Sequence, residues 1–420
     1  MVDFFKTLWR DAVDSHAGLP VLQWSLLLAV AALAGHVGKR YLRLPKIVGF
    51  AAVGALAGLS GFVGAAWPLR GVGLFLLELG IAVMLFEAGA RLPLRWFRHN
   101  PVVLVQSVAE SLLTFMAAYV LLRKLGLGVQ VTRALSVIAV AASPSVLMSL
   151  VANLRASGPV TDRALALTTL NTLYVLTIGT TLLRSIDRAE VGMLESLASS
   201  ATLLFVSLLI GAVLAGLLTH AFRWMRQTSE DTILLIMALV AASTAVAPPL
   251  GGSAPLAALL GGILLKQVHP RPWVWPRQLG TAASMLTVLM FVLVPLMAAK
   301  AYWSFGVLWI ALMLIAVRVL AKLLSLLATG PGSGMSLKKS VWVAGAMVPM
   351  SSVELLLTSQ FVAASPNIGF QVAAVALPTI LITELFGAAL VAWLLSRAGE
   401  AGAPPGRSPL PPATGTGSPP

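Results

Sequence analysis

The sequence predicts an all-α polytopic membrane protein, and three observations support this fold class. First, 58% of the 420 residues are hydrophobic and 10% are charged, whereas soluble globular chains carry roughly 25% charged residues. Second, the apolar runs reach the ~20 residues that a helix needs to span a bilayer. Third, the runs are continuously apolar instead of alternating, which argues against a membrane β-barrel. This composition excludes a soluble enzyme and a disordered chain.

The chain divides into three parts by composition. We expect an interfacial N-terminal segment at 1–18, a transmembrane domain at 19–396, and a disordered tail rich in Pro, Gly and Ser at 397–420. About thirteen spans are predicted. They are 19–38, 46–66, 71–90, 101–122, 134–153, 164–183, 200–222, 231–248, 254–267, 281–299, 303–328, 340–362 and 368–396.

The basic residues indicate the orientation of the chain. Its net charge of +14 is assigned to loops and not to nucleic-acid binding, because cytoplasmic loops of membrane proteins are enriched in Lys and Arg. With the N-terminus outside, 18 Lys and Arg fall on the inner side and 9 on the outer side. We therefore predict a multi-pass protein of the inner cell membrane with a cytoplasmic C-terminus, in contact with the lipid bilayer.

Motifs of soluble chemistry are missing. The chain has no cysteine, which excludes disulfides and thiolate metal sites. Its five histidines show no metal-ligand spacing, and there is no P-loop or dinucleotide fingerprint. No enzyme activity, metal or cofactor is expected.

Two spans carry a proline and small hydroxyl residues in the middle of an apolar run, at 143–145 and 349–352. Proline removes an intrahelical hydrogen bond, and freed carbonyls in a membrane must face protein or a water-filled cavity. The two spans are seven apart in order, so they run in opposite directions. This pattern favours inverted repeats with two crossed discontinuous helices. A pair of ordinary proline kinks is the alternative.

Charged residues within spans are costly and usually functional. Arg318 and Lys322 share a helix face. Arg318 needs a carboxylate or the carbonyl groups of a broken helix as partners. Lys322 can also extend towards the membrane surface. Glu354 follows the second interruption and can bind a cation, accept a proton or pair with Arg318. Glu110 shares a face with Gln106, as a proton relay or as a hydrogen-bonded core pair. Glu78 and Glu87 are nine positions apart, roughly 100° from sharing a helix face, and need not share a site. Glu384 ranks below the other acids.

Several motifs together resemble the cation:proton antiporter superfamily, and within it the Kef-type monovalent cation:proton antiporters. Residues 42–50 (LRLPKIVGF) resemble the family's entry to its second helix, and 78–80 (ELG) resemble its third. Residues 143–146 and 352–354 resemble the two broken helices, and Arg318 stands where the family has Lys or Arg. The resemblance covers essentially the whole membrane part.

This resemblance implies a sodium/proton antiporter-like fold of thirteen helices in two units. It also implies exchange of Na⁺ or K⁺ for protons by alternating access, and a homodimer. One departure stands out: the family's sixth helix carries an ion-binding aspartate after Asn or Gln, and here Asn171 is followed by Thr172. A threonine hydroxyl can bind a cation but cannot carry the exchanged proton near neutral pH. Proton coupling is then moved to another carboxylate or lost.

The sequence thus predicts a secondary transporter that exchanges a monovalent cation for a proton. Arg318 is expected to organise the site, and Glu354 and Glu110 are the candidates for proton coupling. The alternatives are transport of another solute on the same fold, or a transport-inactive membrane sensor or assembly protein. The expected ion-binding residues are Asn171, Thr172, Ser143, Ser145, Ser351, Ser352 and Glu354.

Overall fold

The structure is a computed structural model that places most of the predicted transmembrane domain. The predicted interfacial segment at 1–18 and residues 403–420 of the predicted tail lie outside the described residues. The described residues are 19–42, 44–62, 67–69, 71–92, 94–186, 192–225, 230–268 and 277–402.

The described residues form α-helices and one short 3-10 helix, Pro331–Ser333, with no strand among them. We number the α-helices in chain order. They are α1 (Leu19–Tyr41), α2 (Lys46–Leu59), α3 (Gly71–Ala90), α4 (Leu94–His99), α5 (Val102–Lys124), α6 (Val129–Val140), α7 (Pro144–Leu154), α8 (Pro159–Arg184), α9 (Met193–Ala221), α10 (Glu230–Val246), α11 (Ala254–Val268), α12 (Arg277–Ala299), α13 (Phe305–Thr329), α14 (Leu337–Ala346), α15 (Ser352–Ala364) and α16 (Pro366–Arg397).

The predicted fold class is confirmed. Among the described residues, seven helical segments are long and apolar enough to cross a membrane, and five shorter apolar helices accompany them. The α6–α7 and α14–α15 pairs each occupy one predicted span. The predicted span 46–66 ends early as a helix, because Gly61 adopts a positive φ of 83° after α2, a conformation that terminates helices.

Small residues allow some helices to approach closely. A Cβ on Gly54 or Gly58 of α2 would collide with backbone carbonyls of α12, at Val292 and Leu296. Gly38 of α1, by contrast, faces open space. Close packing through small residues is a common way for membrane helices to associate, and Gly54 and Gly58 hold α2 against α12 in this way.

The two interrupted spans meet at their breaks. In the first, α6 ends at Val140 and α7 begins at Pro144. A proline is tolerated at the start of a helix because the N–H that it lacks would have no partner within the helix. The second is not helical between α14 and α15, around Pro349. The backbone N–H of Ser143 donates to the carbonyl of Pro349 at 2.9 Å. This hydrogen bond joins the two interruptions directly.

The first residues of the predicted tail are packed against the helices. Glu400 is buried, and its carboxylate accepts from the backbone N–H groups of Val160 and Thr161 at 2.8 Å each. The N–H of Gly402 donates to the carbonyl of Leu154 at 2.9 Å. Composition assigned residues 398–402 to the tail, but a carboxylate at the N-terminus of α8 is favourable for both the free N–H groups and the helix dipole.

Candidate functional site

Arg318 of α13 lies at the point where the interrupted helices meet. Its side chain is fully buried. It donates to the carbonyls of Ala139 in the last turn of α6, of Ala141 in the first interruption and of Val348 in the second. Carbonyl groups at helix C-termini carry partial negative charge and lack intrahelical partners. One guanidinium therefore satisfies and holds both breaks, because its donors lie in a fixed planar fork.

One helical turn further along α13, Lys322 forms a buried ion pair with Glu110 of α5. The Nζ to Oε1 distance is 2.5 Å, and both side chains are completely buried. Lys322 also donates to the carbonyl of Val140 at 3.0 Å. The pair thus ties α5 and α13 to the C-terminal end of α6.

Asn171 of α8 completes the surroundings of Glu110. Its Nδ2 donates to Glu110 Oε2 at 2.8 Å and to the carbonyl of Val140 at 3.3 Å. Its Oδ1 accepts from the hydroxyl of Ser111 at 3.1 Å. Thr114 donates to Glu110 Oε1 at 3.1 Å. Both carboxylate oxygens of Glu110 therefore have donors.

Thr172 faces the first interruption. Its hydroxyl donates to the carbonyls of Thr168 at 2.9 Å and, more weakly, of Ala142 at 3.4 Å. The hydroxyls of Ser143 and Ser145 lie 2.9 Å apart, and Ser143 accepts from a backbone N–H in the first turn of α7. Thr172, Ser143 and Ser145 thus place buried hydroxyl oxygens at or beside the first interruption.

The second interruption ends at Ser351, next to two acidic residues. The Ser351 N–H donates to Glu354 Oε2 at 2.8 Å, and its hydroxyl donates to Glu384 Oε1 at 3.0 Å. Ser352, Glu354 and Glu384 are buried as well. Within the described residues, no hydrogen bond links this acidic group to Glu110.

A cavity of about 660 Å³ lies between α3, α7, α8 and α11. Asp162 and Lys266 line its polar part, and Met148 and Thr169 line the part that continues along α7 and α8. Thr169 lies three residues before Thr172 on α8, so the cavity reaches to within one helical turn of the crossing. Within the described ranges, no three His, Cys, Asp or Glu side chains are grouped as a metal site requires.

The structure decides three pairings that the sequence left open. Gln106 donates to Thr329 at 3.0 Å and is not hydrogen-bonded to Glu110. Of the two partners expected for Arg318, the structure has the carbonyls of the broken helices. The side chain of Lys322 points inward to its ion pair, with none of its surface exposed.

Sequence reasoning missed two hydroxyls that contact this network, Ser111 and Thr114. Both lie on α5 within one helical turn of Glu110, so the 3.6-residue period of the helix could have indicated Thr114 at the i+4 position. It also ranked Glu384 low, because no local pattern in the sequence shows that this residue of α16 meets Ser351.

Comparisons with known proteins agree with this architecture. The solved structure of the sodium proton antiporter MjNhaP1 from Methanocaldococcus jannaschii at pH 8 is similar with a TM-score of 0.70 and 16% identity, covering 90% of this chain and 98% of that one. An electron-microscopy structure of the same antiporter gives a TM-score of 0.73 at 16% identity, covering 93% and 100%. At this identity the likeness shows the fold. No curated protein matches the sequence.

The family described as "Sodium/hydrogen exchanger, transmembrane" matches residues 26–397, which is most of the chain. Its match extends through the crossing, the Glu110–Lys322 ion pair and Thr172. The chain is a multi-pass membrane transporter and belongs to the transmembrane sodium/hydrogen exchanger family, within the cation:proton antiporters.

Proposed function

We propose that the protein exchanges a monovalent cation, Na⁺ or K⁺, for a proton, and that Glu110 and Lys322 couple the two. The observation that carries this proposal is the buried ion pair between these residues at the crossing of two interrupted helices. Fully buried ion pairs are seldom retained for stability alone, because desolvation of both charges offsets much of their attraction. A role in transport, in which the ion pair opens and closes, explains why these two charges lie in the membrane interior.

The exchange follows from competition for one carboxylate. A cation that binds Glu110 takes the place of the Lys322 ammonium, which would then be a buried charge without a counter-charge. The Lys322 ammonium therefore releases one proton and becomes a neutral amine as the cation binds. It takes up a proton again when the cation leaves. One positive charge is exchanged for another, so the net charge of the site stays constant.

The neighbouring groups suit a small monovalent cation. Hard cations prefer oxygen ligands, and the amide oxygen of Asn171 and the hydroxyls of Ser111 and Thr172 lie beside Glu110 or the first interruption. Thr172 supplies a neutral ligand where the family has an aspartate, and Glu110 supplies the negative charge. Ser143 and Ser145 extend the same oxygen-lined surface.

The 660 Å³ cavity provides access from one side of the membrane. Its lining includes Asp162 and two basic residues, Arg91 and Lys266, which the sequence assigned to the cytoplasmic side. We place the N-terminus outside and the C-terminus in the cytoplasm of the inner membrane, as the distribution of basic residues indicates. We also propose a homodimer, as the resemblance to the family implies.

The test is proton flux in liposomes. The reconstituted protein is given pulses of Na⁺, K⁺ or Li⁺, and an enclosed pH dye reports proton movement. We expect cation-triggered proton flux that is abolished in Glu110→Gln and in Lys322→Gln. Glu195→Gln, at an exposed position of α9, is the matched control and should retain full flux.

Other outcomes separate the alternatives. Flux that survives Glu110→Gln would reject this residue as the coupling carboxylate. Cation uptake without proton movement would indicate uniport, and binding without transport would indicate a sensor or assembly protein. Thr172→Asp adds a carboxylate at the family's position and should raise cation affinity; no effect would reject a place for Thr172 in the site.

A further inference from the structure

The protein interior around the crossing contains more acidic than basic side chains. Glu110, Glu354 and Glu384 are each at most 1% exposed, and Arg318 and Lys322 are fully buried. If all five were ionised, one negative charge would have no counter-charge. An isolated carboxylate in a low-dielectric interior is strongly disfavoured, so one further positive charge must reside there.

The contacts identify where this charge belongs. Glu110 already has Lys322, Asn171 and Thr114 on its two oxygens. Glu354 Oε1 and Glu384 Oε2, by contrast, are buried and have no hydrogen-bond partner. Buried polar atoms without partners are rare in native proteins and require an explanation.

Glu354 and Glu384 lie close together because both bind the same residue. Ser351 donates its N–H to Glu354 at 2.8 Å and its hydroxyl to Glu384 at 3.0 Å. A proton or a cation held between the two side chains would supply the partner that each free oxygen lacks. Two carboxylates this close, away from water, cannot both remain ionised without such a charge.

The charged side chains near the Glu354–Glu384 pair lie on α13 and α3. Arg318 and Lys322 of α13 act electrostatically on Glu354, and Glu384 in turn interacts with Glu354. Neither cation forms an ion pair with Glu354 within the described part of the chain. Glu78 of α3 lies near Gln360 of α15.

We propose that Glu354 and Glu384 form an acid pair that holds one exchangeable proton, and that a monovalent cation displaces it and binds between the two carboxylates. In the exchange one carboxyl O–H bond breaks, the proton leaves to water, and the cation takes over its charge. The pair carries one net negative charge before and after. It is a second ionisable site, in addition to the Glu110–Lys322 pair.

The inference rests on the proposed cation:proton exchange, but its test is separate. Infrared difference spectra of the purified protein are recorded without alkali cation and at saturating Na⁺, K⁺ or Li⁺. The pH is held well above the ordinary carboxyl range, so that exposed acids are ionised. We expect a protonated-carboxyl band that disappears when the cation is added.

The variants decide which residues produce the band. Glu384→Gln keeps the acceptor oxygen for Ser351 and should lose the band, as should Glu354→Gln. The matched control, Glu110→Gln, removes a carboxyl at equal depth and should keep it. A band that persists in both Glu384→Gln and Glu354→Gln, that persists at saturating cation, or that is absent from the unsubstituted protein would overturn the proposal. None of these results depends on flux through Glu110.

Discussion

Replacing Glu110 with glutamine isolates the contribution of the buried ion pair. Glutamine has the same length and can keep an oxygen facing Asn171, which lies 2.8 Å from the carboxylate. Lys322 loses its partner at 2.5 Å and keeps only the carbonyl of Val140. Breaking a buried pair by removing one partner costs about 3–5 kcal/mol, because the other charge stays buried without compensation. We expect the free energy of unfolding to fall by that amount.

A double variant separates the lost charge pair from other effects of the substitution. Lys322→Met replaces the ammonium with an uncharged chain of similar length, and buried ion pairs can often be replaced by apolar side chains at little cost. We therefore expect Glu110→Gln combined with Lys322→Met to be more stable than Glu110→Gln alone. With Lys322→Met also measured alone, the double-mutant cycle gives a coupling energy of about 2–3 kcal/mol, at the upper end for residues in contact.

Unfolding by SDS in mixed micelles measures these energies, with Glu195→Gln as an exposed control. The transition must coincide for two probes, such as helix content and tryptophan fluorescence, before free energies are compared. The reasoning would be refuted if Glu110→Gln stayed within ~0.5 kcal/mol of the unsubstituted protein, the range of ordinary surface substitutions. It would also be refuted if the double variant were no more stable than Glu110→Gln.

Three further predictions use the same unfolding measurement. Arg318→Lys keeps the charge but cannot reach carbonyls of both interruptions. We therefore expect the free energy of unfolding to fall by about 2–4 kcal/mol, because charged hydrogen bonds are broken. An unchanged stability would mean that these bonds do not hold the crossing. Glu400→Gln replaces one acceptor oxygen at the N-terminus of α8 with an amide and should cost about 1–2 kcal/mol, and equal stability would contradict that capping role. Gly54→Ala should cost about 1–3 kcal/mol of stability by forcing α2 away from α12. Gly38 faces open space, so Gly38→Ala should be neutral or stabilising by up to ~1 kcal/mol. Similar losses in both variants would reject the close packing.

The sequence was sufficient to predict the membrane helices and their interruptions. Span length and continuous apolarity are local properties, and a proline close to serines in an apolar run is a local signal as well. The helices of the structure follow the predicted spans, and both interruptions fall where Pro144 and Pro349 predict them. The early end of α2 at Gly61 was missed, because the apolar run continues beyond the helix.

The partners of the charged residues could not be predicted in the same way. A charged residue in an apolar run is visible by itself, but its partner depends on how helices tilt and rotate against each other. Lys322 and Glu110 are 212 positions apart in sequence, and Gln106 turns to Thr329 although it shares a helix face with Glu110. The role of Glu400 was hidden for a similar reason, because composition does not report one capping carboxylate in a polar segment.

Counting the protons released when a cation binds tests the proposed exchange most directly. Purified protein in weakly buffered detergent solution is titrated with Na⁺ or K⁺, and a pH dye measures the protons released per protein at saturation. If the cation displaces the Lys322 ammonium from Glu110, Lys322→Gln releases one proton fewer than the unsubstituted protein while it still binds the cation. An equal number of released protons in the two proteins would contradict the exchange at Glu110.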